Sequence, residues 1–274
     1  AQGFDMIANN IRTNKKTNSM VATQKPLLLI KQGADTIYIA ADTLYSARLS
    51  DLTKKRVVPQ IRDASGLDSI SKQTKLIPKD EEDSADKFFE AYYNVKIFSD
   101  SLQATGDSLF YSLKDSVFRL FKKPIVWAQE NQITGDTIYL FIKNKKPERL
   151  YVFENSMAIN KVDSADYYNQ LKGTTINANF LDGKIHDMRA KGNAENVYYA
   201  LDEEKNFIGV NKSTADIIDV FFEDSKPQKV VFLRNLEGTT YPMRNTNHED
   251  LKIRGFKWLE NIRPKSKFDL LIFK

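Results

Sequence analysis

The chain has 274 residues, of which 41% are hydrophobic and none is cysteine, and it carries a formal net charge of +5. Without cysteine, disulfides, thiol nucleophiles and thiolate metal sites are excluded. The longest apolar runs, at 27–30 and 270–273, are far shorter than the roughly 20 residues that a membrane helix needs. The chain begins Ala-Gln-Gly and shows no signal peptide, and we expect that a targeting segment has been removed.

A proline-led apolar strand occurs twice. Lys25-Pro26 precedes the run 27–30, and Lys123-Pro124 precedes the run 125–127. Proline at the start of a strand removes no donor from the ladder. An Asp-Thr-Ile unit follows each strand, at Asp35 and at Asp136, which indicates an internal repeat.

One short unit recurs along the chain: an Asp, then Ser or Thr, then an aliphatic residue. It begins at Asp35, Asp42, Asp100, Asp107, Asp115 and Asp136. Asp bonds its own backbone in turns, and the next two side chains of a strand point to opposite faces. The unit therefore predicts a turn followed by a short strand, repeated as in stacked β architecture.

The alternation also predicts which side chains face inward. The aliphatic residue of each unit and its neighbour two positions later share one face. We expect the intervening Tyr38, Phe110 and Tyr139 to lie on the other face. The predicted inward-facing residues are Ile37, Ile39, Leu109, Tyr111, Ile138 and Leu140.

Residues 46–87 differ from this pattern. Their apolar periodicity is weak, they contain Pro59 and Pro78, and residues 80–83 are all acidic. We interpret them as a polar, loop-rich insertion in a single domain that spans residues 1–274.

Later segments alternate and are separated by turns. Phe88–Tyr93 reads as a strand, because its continuation alternates, whereas residues 162–168 fit either a short helix or a turn. Asp182-Gly183 lies between two alternating runs, which is a strong hairpin signal. Short strands without amphipathic helices predict an all-β fold.

The positive charge is concentrated at one end of the sequence. Residues 251–274 hold seven Lys or Arg against two acidic residues, which accounts for the whole net charge. This segment is either a solvated basic tail or a patch for an anionic head group or an acidic partner. The patch would comprise Lys252, Arg254, Lys257, Arg263, Lys265 and Lys267.

Residues that could support catalysis are few. His186 and His248 are far apart, no metal-ligand spacing is present, and no glycine-rich phosphate loop occurs. Basic and aromatic residues interleave only between Arg254 and Lys267, which is weak evidence for nucleic-acid binding. We therefore expect a non-enzymatic protein with no cofactor, no metal and no nucleic-acid partner.

The ordered motifs resemble the OstA-like (organic solvent tolerance) family, which includes the LptA-type lipopolysaccharide-transport proteins. The resemblance covers roughly residues 20–265 and departs from the common pattern at Tyr93 and in the 46–87 insertion. The motifs that carry it are Asn94-Val95-x-Ile97, Asp100-Ser-Leu, Gly106-Asp107-Ser-Leu-Phe-Tyr111, Pro124-Ile-Val-Trp127, Ile133-Thr-Gly135-Asp136-Thr-Ile138, Gly192-Asn193-Ala194 and Gly255-Phe256-x-Trp258.

The resemblance implies an elongated, folded-over β-jellyroll of stacked antiparallel strands in the periplasm. Its apolar groove would bind the acyl chains of lipopolysaccharide, and its open edge strands would join other envelope transport proteins or further copies of the chain. The six inward-facing residues would then line the groove. Two other readings stay open: a structural or adhesive β-solenoid that binds envelope polysaccharide or protein through its outer face, and, third, an enzyme acting on envelope polysaccharide. An open rather than a filled interior would favour the first reading over the second.

Overall fold

The computed structural model describes residues 4–32, 35–53, 60–61, 70–71, 86–144, 146–162, 166–204, 206–224 and 226–271. The described residues are mostly β-strand, which confirms the predicted all-β class. The first strands are β1 (Phe4–Ile7), β2 (Asn10–Asn14), β3 (Ser19–Thr23), β4 (Leu27–Gln32), β5 (Asp35–Ala40), β6 (Thr43–Arg48), β7 (Gln60–Ile61) and β8 (Ile70–Ser71). The next are β9 (Lys87–Phe98), β10 (Leu102–Ser112), β11 (Val117–Phe121), β12 (Ile125–Ala128), β13 (Asn131–Thr134) and β14 (Thr137–Lys143). The last are β15 (Lys146–Val162), β16 (Tyr167–Leu181), β17 (Lys184–Leu201), β18 (Phe207–Glu223), β19 (Lys226–Leu233) and β20 (Glu237–Tyr241).

Over the residues that the structure describes, helical structure is limited to one short helix, α1 (Leu49–Thr53), and two 3-10 turns at Glu260–Ile262 and Lys267–Leu271. Within the predicted 46–87 insertion, the described residues form the end of β6, α1, the β7–β8 pair and the start of β9. The rest of the insertion lies outside the described residues, and the single-domain assignment stays a prediction. Phe88–Tyr93 is part of β9, as expected, and Asp182-Gly183 forms the β16–β17 hairpin with φ values of 52° and 82°.

Eighteen of the strands form one antiparallel sheet that is folded over into two facing halves. Long strands such as β9 and β15 pass a bend and pair with different neighbours on either side of it. Half-sheet 1 contains, in order, β2, β3, β6, 87–92 of β9, 108–112 of β10, β11, β14, 146–153 of β15, 175–181 of β16, 184–191 of β17, 217–223 of β18, and β19. Half-sheet 2 contains β1, β4, β5, 95–98 of β9, 102–106 of β10, β12, β13, 156–162 of β15, 167–173 of β16, 194–201 of β17, 207–215 of β18, and β20. This architecture confirms the predicted folded-over stack of antiparallel strands.

The chain turns between the halves at a row of corners along one side of the molecule. Several corner residues have positive φ, among them Asn94 (52°) and Asn155 (48°). Asn tolerates this conformation because its short side chain bonds locally. Its amide also bonds an Asp on the neighbouring corner: Asn94 Nδ2 lies 2.8 Å from Asp42 Oδ2, and Asn155 Nδ2 lies 2.8 Å from Asp136 Oδ2.

Two more corners use the same kind of contact. Lys122 Nζ lies 3.0 Å from an oxygen of Asp107, and Asn235 Nδ2 donates to Asp216 at 3.1 Å. Three carboxylates of the recurring sequence unit, those of residues 42, 107 and 136, thus fasten consecutive corners together. The unit's Asp35 begins β5, and Asp100 and Asp115 lie in the β9–β10 and β10–β11 turns instead.

Candidate functional site

The inner face of half-sheet 1 carries one apolar row that crosses every strand. Side chains that are cross-strand partners form a row along the whole half-sheet, and Leu109 and Ile138 lie in its middle with exposures of 1% and 0%. Strand alternation places the row on the side facing half-sheet 2. The row consists of Ile11, Ala22, Leu44, Ala91, Leu109, Leu120, Ile138, Val152, Ile176, Ala190, Ile218 and Phe232.

All six residues predicted to face inward are buried in one core between the halves. Tyr111 and Leu140 belong to the adjacent row of half-sheet 1, and Ile37 and Ile39 come from β5 of half-sheet 2. The inward orientation is therefore confirmed. Their role in lining a ligand groove stays a prediction.

The outer face of half-sheet 1 is also covered near its middle, which the sequence pattern did not predict. Phe110 and Tyr139 are buried there around Arg119, whose guanidinium carbon lies 5.4 Å and 5.3 Å from their ring centroids. Arg119 Nη2 pairs with Asp115 at 2.5 Å. Burial raises the pKa of Tyr139, and the charge of Arg119 opposes that rise. The sequence contains one signal for this buried site, because Arg119 is the only polar residue in the otherwise apolar strand 117–121.

The inner face of half-sheet 2 changes character along its length. From β4 to β16 its central row is apolar and includes Ile39, Ile97 and Leu171. The row then continues through Asn196 and Ser213. The neighbouring inner row is polar over a longer stretch and consists of Asn131, Asn160, Asn169, Tyr198 and Asn211.

In the described part of the chain, openings reach the interior on the side opposite the corners, which we call the open margin, and two of them are considered in turn. The first has Asp35 and Ser99 at its rim and about 20 Å³ of free space. That is room for a body the size of one water molecule. Its apolar walls come from both halves: Ile37, Ile97, Leu102 and Ala104 on one side and Phe118, Leu120, Leu140 and Ile142 on the other.

The second opening, the amide crevice, lies further along the same margin and also has about 20 Å³ of free space. Half-sheet 2 lines it mainly with polar groups, and half-sheet 1 faces them with apolar ones. The polar wall is Asn131, Asn160, Asn169, Asn196 and Tyr198, and the apolar wall includes Met188, Val220, Phe222 and Val230. Among the described residues that line it, none has a charged side chain.

Among the described residues, two side-chain hydrogen bonds join the halves at the open margin. Gln129 Nε2 donates to the carbonyl oxygen of Gly183 at 3.1 Å, and Tyr198 Oη donates to that of Pro227 at 3.3 Å. Both bonds are between neutral groups. Hydrogen bonds of this kind contribute on the order of 1 kcal/mol each, whereas at the corners long strands such as β9 and β15 continue from one half into the other, so this margin is the weaker side of the interior.

Residues 242–271 form a strap across the outer face of half-sheet 2. Three buried glutamines on alternate strands hold the strap, two of them by its backbone: Gln170 Oε1 accepts from Ile253 N at 2.8 Å, and Gln132 Oε1 accepts from Leu259 N at 2.6 Å. The third, Gln103, accepts two bonds from the guanidinium of Arg263, at 2.7 and 2.8 Å.

The six cations predicted to form a patch all lie on this strap. Lys252 pairs with Glu249, and Arg263 is held by Gln103, whereas Arg254, Lys257 and Lys265 are exposed. Lys267 lies above the ring of Tyr38, with Nζ 5.6 Å from its centroid. The strap covers the face of half-sheet 2 opposite the interior, so these cations sit outside the core. Their binding role stays a prediction.

Both histidines have structural surroundings. His248 belongs to the strap, and its Nδ1 is 3.2 Å from Tyr199 Oη while its Nε2 is 3.2 Å from the Met243 carbonyl oxygen. Burial raises the pKa of Tyr199 to about 12. His186 is at the surface beside Asp187.

Two further searches cover the described part of the chain. It contains no cluster of three or more His, Cys, Asp or Glu side chains placed to hold a metal ion. None of its helices is long and apolar enough to cross a membrane.

Comparison with known proteins gives one informative result. No family model and no curated protein matches the sequence. Among solved structures, the chain is similar to LptH from Pseudomonas aeruginosa, which is described as the LptA homologous periplasmic component of a lipopolysaccharide transport device. The match has 9% identity and a TM-score of 0.36, and it covers 62% of this chain and 94% of that one. A likeness this distant does not assign the chain to a family.

Proposed function

We propose that the protein binds the acyl chains of lipopolysaccharide or a related amphiphile between its half-sheets and passes them on in the periplasm, as a bridge in outer-membrane biogenesis. The observation that carries the proposal is the uninterrupted apolar row of half-sheet 1. Because no polar residue interrupts the row, it can contact an acyl chain at any position along its length. Burial of the acyl surface there is favourable by about 25 cal/mol per Å². No catalytic step is part of this function.

The ligand enters, in this proposal, by parting of the half-sheets at the open margin. The free space of about 20 Å³ at each opening holds no acyl chain. The corners are fastened by ionic and amide contacts, whereas the margin is held by the bonds of Gln129 and Tyr198. The corner side therefore acts as the hinge, and the margin as the side that opens.

The edges of the sheet suit the bridging role. Within the described part of the chain, β1 pairs only with β4 and β2 only with β3, while β19 and β20 each pair only with β18. Unpaired backbone groups at a sheet edge accept a further strand. We propose that transport partners, or further copies of this chain, add at these edges.

The decisive experiment closes the open margin. The natural sequence lacks cysteine, so Gln129→Cys with Asp182→Cys introduces one reactive pair beside the Gln129–Gly183 contact. We expect the pair bridged by a short bismaleimide to lose at least tenfold in affinity for a fluorescent lipid A analogue. The matched control is the same double variant capped with N-ethylmaleimide, which should bind like the wild type. Equal binding by the bridged and capped proteins would show that the ligand does not bind between the half-sheets.

A second arm tests the head group. Arg254→Ser, Lys257→Ser and Lys265→Ser together remove three exposed strap cations without touching the interior. We expect a modest loss of affinity that disappears at high salt, because exposed charges are screened while acyl burial is not. If this variant loses all binding and the bridged protein loses none, the ligand lies on the outer face.

The filled interior favours a second candidate function. In this conformation the core residues between the halves are buried, and the two openings described above hold only about 20 Å³ each, as expected of a structural or adhesive β-solenoid. Such a protein would bind envelope polysaccharide or protein through its outer face. Retention of polysaccharide binding by the bridged double variant, with no lipid binding by the capped one, would select this candidate.

A further inference from the structure

The amide crevice contains polar groups that an apolar acyl groove does not need. Asn196 is 3% exposed, lines the crevice, and has no hydrogen-bond partner for its Nδ2 within the described residues. Leaving a buried donor unsatisfied destabilises the folded protein. Asn131 and Asn160 are also buried, and within the described part of the chain their amide nitrogens donate only long bonds of 3.5 Å to backbone carbonyls. Free or weakly engaged amide donors therefore converge on one space.

The surroundings of these donors specify a ligand chemistry. Because the described lining holds no charged side chain, an anionic group would be buried there without a counter-charge, which is strongly unfavourable. Amide N–H groups instead suit neutral oxygen acceptors. The opposite wall, with Met188, Val220 and Phe222, suits methylene groups. The crevice thus matches a molecule that carries neutral oxygens beside an alkyl chain.

We propose that the amide crevice binds the neutral carbonyl or hydroxyl oxygens next to the acyl chain of the ligand, with Asn196 and Asn160 as the donors. This inference rests on the proposed entry of acyl chains into the interior. The polar wall orients the chain, since only its oxygenated end gains hydrogen bonds in this part of the interior. Tyr198 closes the crevice through its bond to the Pro227 carbonyl oxygen.

The test uses three probes of increasing polarity. N-phenyl-1-naphthylamine reports apolar binding, 1-O-dodecylglycerol adds hydroxyls, and monolaurin adds hydroxyls and an ester carbonyl. Asn196→Leu and Asn160→Leu remove the donors at similar volume. Asn177→Leu is the matched control, because Asn177 pairs with Tyr151 and Arg189 on the outer face of half-sheet 1 and also has a side-chain atom without a partner, Oδ1.

We expect Asn196→Leu and Asn160→Leu to weaken monolaurin binding about five- to tenfold, the loss of one hydrogen bond. Binding of the apolar probe should stay within about twofold. Asn196→Leu should also raise the melting temperature, since it removes an unsatisfied buried amide. If only monolaurin binds more weakly, the acceptor is the ester carbonyl. If 1-O-dodecylglycerol also binds more weakly, the acceptor is a hydroxyl, and both results support ligand binding in the crevice.

Other results separate this inference from the function on which it rests. Unchanged monolaurin binding in both crevice variants, or an equal loss in Asn177→Leu, would contradict ligand binding in the crevice. The crevice amides would then be expected to bond ordered water. Acyl binding between the half-sheets would then still stand. If the wild type binds none of the three probes, the proposed function itself fails, and the crevice with it.

Discussion

The two walls of the interior differ, although they are built from the same folded strands. In half-sheet 1 the central row stays apolar from Ile11 to Phe232, whereas in half-sheet 2 it changes to Asn196 and Ser213 towards the last strands. An apolar wall holds a chain but does not fix its position along the groove. A wall that changes from apolar to polar does fix it. This difference between the walls is the basis of our proposal that the interior orients its ligand.

The largest expected effect comes from placing a charge in each wall. Ile138→Asp buries an unpaired carboxylate in the apolar row, and we expect it to lower the free energy of unfolding by more than about 4 kcal/mol. Asn196→Asp places the same group beside amide donors and should cost clearly less. Urea unfolding at neutral pH measures both. Equal losses would show that the two walls are equivalent.

Glycine substitutions compare how tightly the walls are packed. A Cβ at Gly135 would lie 2.2 Å from Cγ1 of Val152, a member of the apolar row, with backbone oxygens close behind. At Gly238 it would meet mainly the rotatable hydroxyl of Ser213. We expect Gly135→Ala to cost about 1–3 kcal/mol, as overpacking does, and Gly238→Ala to cost less. Thermal unfolding of the two variants checks the order, and the reverse order would contradict it.

Tyr198→Phe tests the polar wall with a smaller change. It removes the bond to Pro227 and keeps the ring, so the free energy of unfolding should fall by about 1 kcal/mol. Lipid uptake should become faster, because one of the margin contacts is lost. Stopped-flow fluorescence with the lipid A analogue measures the rate. An unchanged rate of lipid uptake together with lower stability would show that the Tyr198–Pro227 bond does not limit the opening of the margin.

The smallest expected effect concerns how the free energy of unfolding depends on pH. Burial raises the pKa of Tyr198 in the polar wall and of Tyr111 in the apolar wall. A raised folded-state pKa means that the neutral form is the stable one, so its contribution is complete below pH 10 and is lost as the pH rises through the folded-state pKa. Tyr198→Phe and Tyr111→Phe should each lose less stability than the wild type above pH 10. Denaturant unfolding at pH 9 and pH 11 tests this, and an alkaline loss that stays unchanged would contradict it.

Sequence patterns predicted the parts of the fold that depend on local geometry. The Asp unit marks corners at residues 42, 107 and 136, and strand alternation placed Leu109 and Ile138 inside. Alternation assigns two faces but does not say that both are covered. Arg119, which is buried on the outer face, was therefore missed.

The candidate site was less predictable for the same reason. A polar residue such as Asn196 reads as outward-facing in any alternating pattern, and only its register with Leu171 and Ser213 places it inside. Gln132 and Gln170 gave no signal either, because their partners on the strap lie 127 and 83 residues away. Contacts at such separations depend on the assembled sheet.

The strap has a consequence for how the molecule unfolds. Strands that touch only their neighbours in a stack behave as a linear array, which frays from its ends in small steps. The strap links distant strands directly, with Arg263 bound to Gln103 across 160 residues and Lys96 bound to the Asp269 carbonyl across 173. Loss of an end strand then loosens the strap over the middle of half-sheet 2. We therefore expect the stacked strands to unfold as cooperatively as a compact domain. This cooperativity develops late in folding, because contacts between residues so far apart in sequence form only after the strands have paired.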